Sequence, residues 1–319
     1  MTAVALVPFV TSLLLAAGGG WLGRRLPPAA ATRLLTAACL VTALATGFIL
    51  SVAAFTLLAP MPMLAAVGHW SATVVRGHDP LPVTAGLLPA AVVAGLLAAA
   101  TRRAVGVGRD LAAAELTCRR LGPAPTGLVV VDDDRADAYT LPGLTGRIVV
   151  STAMLRALPP DERRVLLAHE HSHLRHRHHA YTQLADLAAA ANPLLRAPAA
   201  AVRLAVERWA DEDAAATSDN RVVAVRALAR AGLARARAGA ATVPTAALGA
   251  VHTDLAHRAR ALREPPPKPR PVLALTLTAL ILATAAAALD TSHATERRFE
   301  RAQATFAHQT RPVSGHPDR

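Results

Sequence analysis

The sequence predicts a mostly α membrane protein: four transmembrane helices, with a cytoplasmic α+β domain inserted between the third and fourth spans. Three observations carry that prediction. Hydrophobic residues make up 53% of the 319-residue chain, aromatic residues only 3%, and the mean hydropathy is +0.33, which is apolar for a soluble enzyme. Four nearly uncharged runs are long enough to cross a bilayer. The β-branched stretches and most of the titratable residues fall together between the third run and the fourth.

The first run is Ala3 to Gly23, followed rather than preceded by Arg24 and Arg25. A signal peptide carries its positive charge before the apolar core, so this run reads as an uncleaved span. The second, Leu34 to Ala59, ends at the turn residues PMPM. The third, Leu81 to Ala100, is stopped by Arg102 and Arg103, and the fourth, Pro271 to Leu289, follows the linker PPPKPR and ends at Asp290. Arg and Lys in short loops mark the cytoplasmic side. They place the N-terminus outside, the loop Arg24 to Arg33 inside, and the loop Pro60 to Pro80 outside. The expected division is a three-span region over 1–101, a cytoplasmic domain over 102–270, a fourth span over 271–289, and a short extracytoplasmic tail over 290–319. That tail is polar and expected to be loosely ordered.

A formal charge of +12 and a pI near 11.4 raise the question of nucleic acid. The cations are almost all arginine, with Lys268 the single lysine, and no stacking aromatics interleave with them. Direct nucleic-acid binding is therefore not expected. Cys39 lies in an apolar run and Cys118 in a charged one, which excludes a C-x-x-C metal site and argues against a disulfide.

Within the inserted domain, Arg109 to Leu121 reads as a helix. Gly127 to Asp133 and Gly146 to Ser151 read as strands, with a further short strand in ADAYTLPG between them. Pro159 and Pro160, then acidic Asp161 and Glu162, open a helix through DERRVLLAHEHSHLRHRHH. Tyr181 to Ala191 continues it up to Asn192-Pro193. Ala197 to Ala216 and Arg221 to Ala238 are further helices.

The chemistry sits in H-E-x-x-H: His169, Glu170 and His173. Residues four apart share a helix face, so both imidazoles can address one ion while Glu170 projects from the adjacent edge. Neutral imidazole suits zinc, and this spacing is the zinc metalloprotease signature, with Glu170 as general base. A third ligand is needed, and Glu207 in VERWADEDAA is the candidate, with Glu212 and Asp213 as alternatives if the register differs. Asp211, one turn beyond Glu207, can accept the N–H of a ligating histidine. Candidates for an oxyanion donor are Tyr139, Tyr181, His252 and Arg258. The strand near Ala136 to Thr140, with Ala138 and Tyr139 at its centre, is expected to bind an extended substrate by β-augmentation.

HEHSH, then ANPLL (Ala191 to Leu195), then ERWAD (Glu207 to Asp211) resembles the BlaR/MecR-type integral-membrane metallopeptidases. Three spans before the domain and one after it are that family's arrangement. The segment from ADAYTLPG to LLAHE is similar also to the wider gluzincin group that includes the HtpX-type membrane proteases. The resemblance implies a zincin-like domain, a zinc cofactor, a protein or peptide substrate, and a place in the cell membrane. The β-lactam sensors carry a penicillin-binding domain after the last span, which is not expected here. The function expected is signalling by cleavage of a transcriptional repressor or of the chain itself. Quality control of membrane proteins, or a non-catalytic zinc-binding scaffold closed by an extra ligand such as His176, are the alternatives.

Overall fold

The computed structural model describes residues 3–77, 82–144, 146–218, 220–239 and 255–309. Its long helices are α1 (Val7–Arg25), α2 (Pro28–Leu58), α5 (Leu87–Arg120), α7 (Pro160–Arg175), α8 (His178–Ala191), α9 (Arg196–Ser218), α10 (Arg221–Gly239) and α12 (Pro271–Gln309). Shorter ones are α3 (Pro62–Gly68), α4 (Ala72–Arg76), α6 (Thr152–Ala157) and α11 (residues 255–263). Four of the described helices are long and apolar enough to cross a membrane: Ala3–Arg25, Pro28–Leu58, Thr84–Arg120 and Pro271–His308.

The one described sheet has three strands, β1 (Leu128–Val131), β2 (Ala138–Leu141) and β3 (Arg147–Ser151), in the order β1-β3-β2. β3 is central and buried; β1 runs parallel to it and β2 antiparallel. β2 therefore has a free edge. Gly146, just before β3, has φ +49°, and a Cβ there would lie 2.7 Å from Leu174 of α7, so glycine lets the strand start against α7.

The largest apolar cluster among the described residues joins the apolar helices α1 and α2 to α8 and α9. Leu15 of α1 and Leu35 and Cys39 of α2 pack with Ala185 and Ala188 of α8 and with Leu195, Ala199, Val202 and Ala205 at the start of α9. Gly19 makes this approach possible, since a Cβ on it would meet Pro198 Cβ at 2.8 Å. At the α8–α9 turn, Asn192 accepts from the Leu194 amide (3.2 Å) and donates from Nδ2 to Ser12 of α1 (2.9 Å). The α8–α9 turn is thus hydrogen-bonded to α1, along which α9 packs, while α8 packs against α2 and α5.

Three expectations need correction. The helix of the third run does not end at Arg102 and Arg103; α5 runs on to Arg120 and absorbs the helix read separately at Arg109. Arginine is a good helix former, and Arg103 has partners: it donates to Gln183 (2.6 Å) and Asp186 (3.0 Å) of α8. The H-E-x-x-H helix α7, expected to continue through His179, breaks at His176–Arg177, where Arg177 has φ +51°. A non-glycine residue in that region costs about 1–2 kcal/mol. The kink turns His178 back toward His173, its ring beside Trp209.

The tail after Asp290 is not loose in its described part. α12 continues unbroken through ATERRFERAQATF. Phe299 and Ala302, one turn apart, pack against the end of α2 and the segment after it: Phe299 lies 5.1 Å from both Phe55 and Trp70, and the Ala302 carbonyl accepts the Ser71 amide (3.0 Å).

Candidate metal centre

α7 and α9 cross so that one face of each meets. His169 and His173, a turn apart on α7, hold their Nε2 atoms 3.1 Å from each other. Glu207 enters from α9, its Oε2 3.7 Å from His169 Nε2 and its Oε1 3.6 Å from His173 Nε2. One ligand atom from each of the three lies within 4.8 Å of the others. Among the described residues, this is the group of metal-capable side chains that comes together.

Each imidazole is oriented through its other nitrogen. His169 Nδ1 lies 3.0 Å from Asp211 Oδ1. Burial opposes a charge on His169, but the hydrogen bond to Asp211 and that residue's charge outweigh it and raise its pKa. His173 Nδ1 lies 3.1 Å from His178 Nδ1. Burial and the neighbouring His169 and Arg258 push His173 down to about 3, so it stays neutral at pH 7. His178 is 1% exposed and also pushed to about 3, by burial and then by His173 and His176. If His173 Nε2 is to offer a lone pair, its proton must sit on Nδ1 and His178 must accept it. The His178 proton then lies on Nε2, a buried atom with no hydrogen-bond partner among the described residues.

Glu170 is 7% exposed and points to β2, where Thr140 donates to its Oε2 (2.8 Å) or to its backbone carbonyl (3.1 Å). The residues left as alternatives to Glu207 are engaged elsewhere. Glu212 takes a two-pronged contact from Arg221 (2.7 and 2.9 Å). Asp213 accepts from Ser172 (2.6 Å) and bonds His176 (3.0 Å), whose ring stacks on Trp209. His176 is therefore not part of the converging group.

Ala138 and Tyr139 lie on the free-edged strand and line the same cavity as the three converging residues, a space of about 1180 Å³. The Asp137 carbonyl accepts from the Ser151 amide, and the antiparallel register then alternates. The Tyr139 backbone pairs with β3, so Ala138 and Thr140 turn their backbone groups to the edge, where the Ala138 amide donates to Asp137 Oδ1 (2.9 Å). The Ala138 carbonyl is occupied by Arg235 of α10, whose Nε also donates to Asp137 (2.8 Å). Tyr139 offers its ring, 42% exposed.

Of the oxyanion candidates, Tyr181 packs toward Trp209 and His252 lies outside the described residues. Arg258 donates to both oxygens of Asp211 and lies 2.8 Å from Glu207 Oε2.

Sequence reasoning placed Thr140 on the substrate strand but missed its contact with Glu170, and it missed the parts played by His178 and Arg235. Strand alternation carried a signal for Thr140, since Ala138 and Thr140 share one face. The other two depend on a helix break and on long-range packing, which no spacing announces.

Residues 109–205 match the family model for peptidase family M48. The match spans the lower part of α5, the sheet, α6 to α8 and the start of α9, and stops two residues short of Glu207. It supports a metallopeptidase, a hydrolase acting on protein or peptide. No curated protein and no solved structure matches the chain.

Proposed function

We propose that the chain is a membrane-embedded zinc metalloendopeptidase that hydrolyses peptide bonds of a cytoplasmic or membrane-proximal protein. In this reading the N-terminus lies outside and the domain between α5 and α12 lies in the cytoplasm, in keeping with Arg24, Arg25 and Arg33 at the α1–α2 loop. The observation that carries the reading is the convergence of His169, His173 and Glu207 beside a buried Glu170 in one large cavity.

The donor set fits zinc: two imidazole nitrogens and one carboxylate, with the outward nitrogens already bonded. His169, His173 and Glu207 would hold it, and when bound it supplies Lewis acidity that brings the pKa of water near 7 and polarises a carbonyl. Glu170 takes the proton of the attacking water and passes it to the leaving amine. Thr140 fixes the Glu170 carboxylate through Oε2, which leaves Oε1 for proton transfer. The substrate lies extended along β2, pairing with Ala138 and Thr140, beside the Tyr139 ring.

The role within this reading is signalling, by cleavage of a transcriptional repressor or of the chain itself. The unbroken α12 favours it, because one helix joins the aromatic cluster around Phe299 to the linker that leads back to the metal face. A quality-control protease would cut many unfolded membrane proteins and have no such need.

The test is Glu170→Gln in the full chain. Loss of cleavage by about 10²–10⁴-fold with zinc retained is the expected result. Undiminished self-cleavage or repressor cleavage in that variant rules out the hydrolase, and indiscriminate cleavage by the wild type argues for the quality-control role.

A further inference from the structure

Glu207 is 38% exposed along its side chain, and a glutamate so placed has rotamers that point away from the two imidazoles. It also stands one helical turn from Asp211, a like charge, with Glu170 nearby. Something must hold it. Besides the candidate ligand His169 itself, Arg258, only 15% exposed, is in direct contact with both α9 carboxylates. Its Nε and Nη2 reach Asp211 Oδ2 and Oδ1, each at 2.7 Å, and its Nη1 lies 2.8 Å from Glu207 Oε2. The fork thus spans both carboxylates, and Asp211 passes the constraint on to His169. With Arg258 on Oε2, Oε1, 3.6 Å from His173 Nε2, is the less encumbered oxygen of Glu207.

Arg258 comes from neither metal-bearing helix. It sits on α11, beyond the residues that the family model matches. α11 is docked by Leu262, 2% exposed among Val165, Ala224 and Ala227, whose carbonyl accepts from Arg221 (2.9 Å). Seven residues after α11 the chain enters α12 at Pro271.

We propose that Arg258 is the positioning residue of the metal centre: its fork sets Glu207 and Asp211, so that metal affinity depends on α11 being docked. The proposal rests on the reading of His169, His173 and Glu207 as ligands. It opposes a simple charge argument, since removing a cation beside a dication would by itself tighten binding.

The experiment measures zinc affinity of the purified full chain by competition with a chromophoric chelator, for wild type, Arg258→Gln and Arg258→Lys. Thermal melting is recorded alongside. Arg258→Gln is expected to bind about 10–100-fold more weakly. Arg258→Lys, which keeps the charge and loses the fork, is expected to fall between the two. Cleavage should return in both at saturating zinc, because the residue positions a ligand and does not touch the reacting atoms. Equal or tighter binding in Arg258→Gln overturns the proposal. Should that variant fail to fold, the lysine variant decides: weakened binding supports the proposal and wild-type affinity overturns it. A wild type that binds no zinc sinks the ligand reading itself, a separate outcome.

Discussion

The two walls of the cleft are held in opposite ways. The α9 wall, carrying Glu207 and Asp211, packs along α1 and α2 below and is gripped by the buried Arg258 above. The β2 wall is a free strand edge whose Ala138 carbonyl is covered by Arg235, a residue 55% exposed and paired with a half-exposed Asp137. A buried, forked ion pair resists rearrangement, whereas an exposed pair contributes only about 0.2–1 kcal/mol. In the proposed enzyme this difference has a purpose: the metal wall is set before substrate arrives, and the substrate wall is closed by a contact that substrate can displace.

The comparison breaks most visibly at Asp211. Replacing it with alanine leaves Arg258 with Glu207 alone and frees the His169 ring. We expect a loss on the order of 3–5 kcal/mol in stability and about 10–100-fold in metal affinity, read by thermal melting and chelator competition. A melting temperature close to wild type would show that the α9 wall is not rigid in the way described. On the other wall, Arg235→Ala uncovers the Ala138 carbonyl. Peptide cleavage should rise roughly two- to fivefold in kcat/KM, the range an exposed pair allows; a fall would mean that Arg235 helps to bind substrate. The smallest effect is at the kink. Arg177→Gly relieves φ +51° while loosening the unfolded chain, so stability should change by no more than about 1 kcal/mol, in the stabilising direction. Strong destabilisation there would mean that the Arg177 side chain itself holds the break, which it does not do by a capping hydrogen bond.

The same contrast explains what could be read from the sequence. H-E-x-x-H and the E-x-x-x-D pair are local patterns, each written within one or two helical turns. So are the strands, since β-branched residues between glycines and aspartates form β1 and β3. The contacts that complete the site are not local. Arg258 lies 47 residues from Asp211, and Thr140 lies 30 from Glu170. His178 reaches His173 only because the helix breaks at Arg177, where a run of histidines and arginines offers neither proline nor glycine as a warning. Charge alone does not end a helix. Arg103 sits inside α5 because Asp186 and Gln183 meet it, and α12 passes Asp290 because Phe299 and Ala302 have a surface to cover.

The central claim is that three side chains from two helices form one zinc site. X-ray absorption at the zinc edge, with metal analysis of the purified chain, tests it most directly in wild type and Glu207→Gln. The account predicts one zinc per chain with two histidine nitrogens and oxygen donors in the wild type, and zinc lost or strongly weakened in the variant. Undiminished zinc in Glu207→Gln, or a wild-type spectrum showing three or more imidazoles, would contradict it.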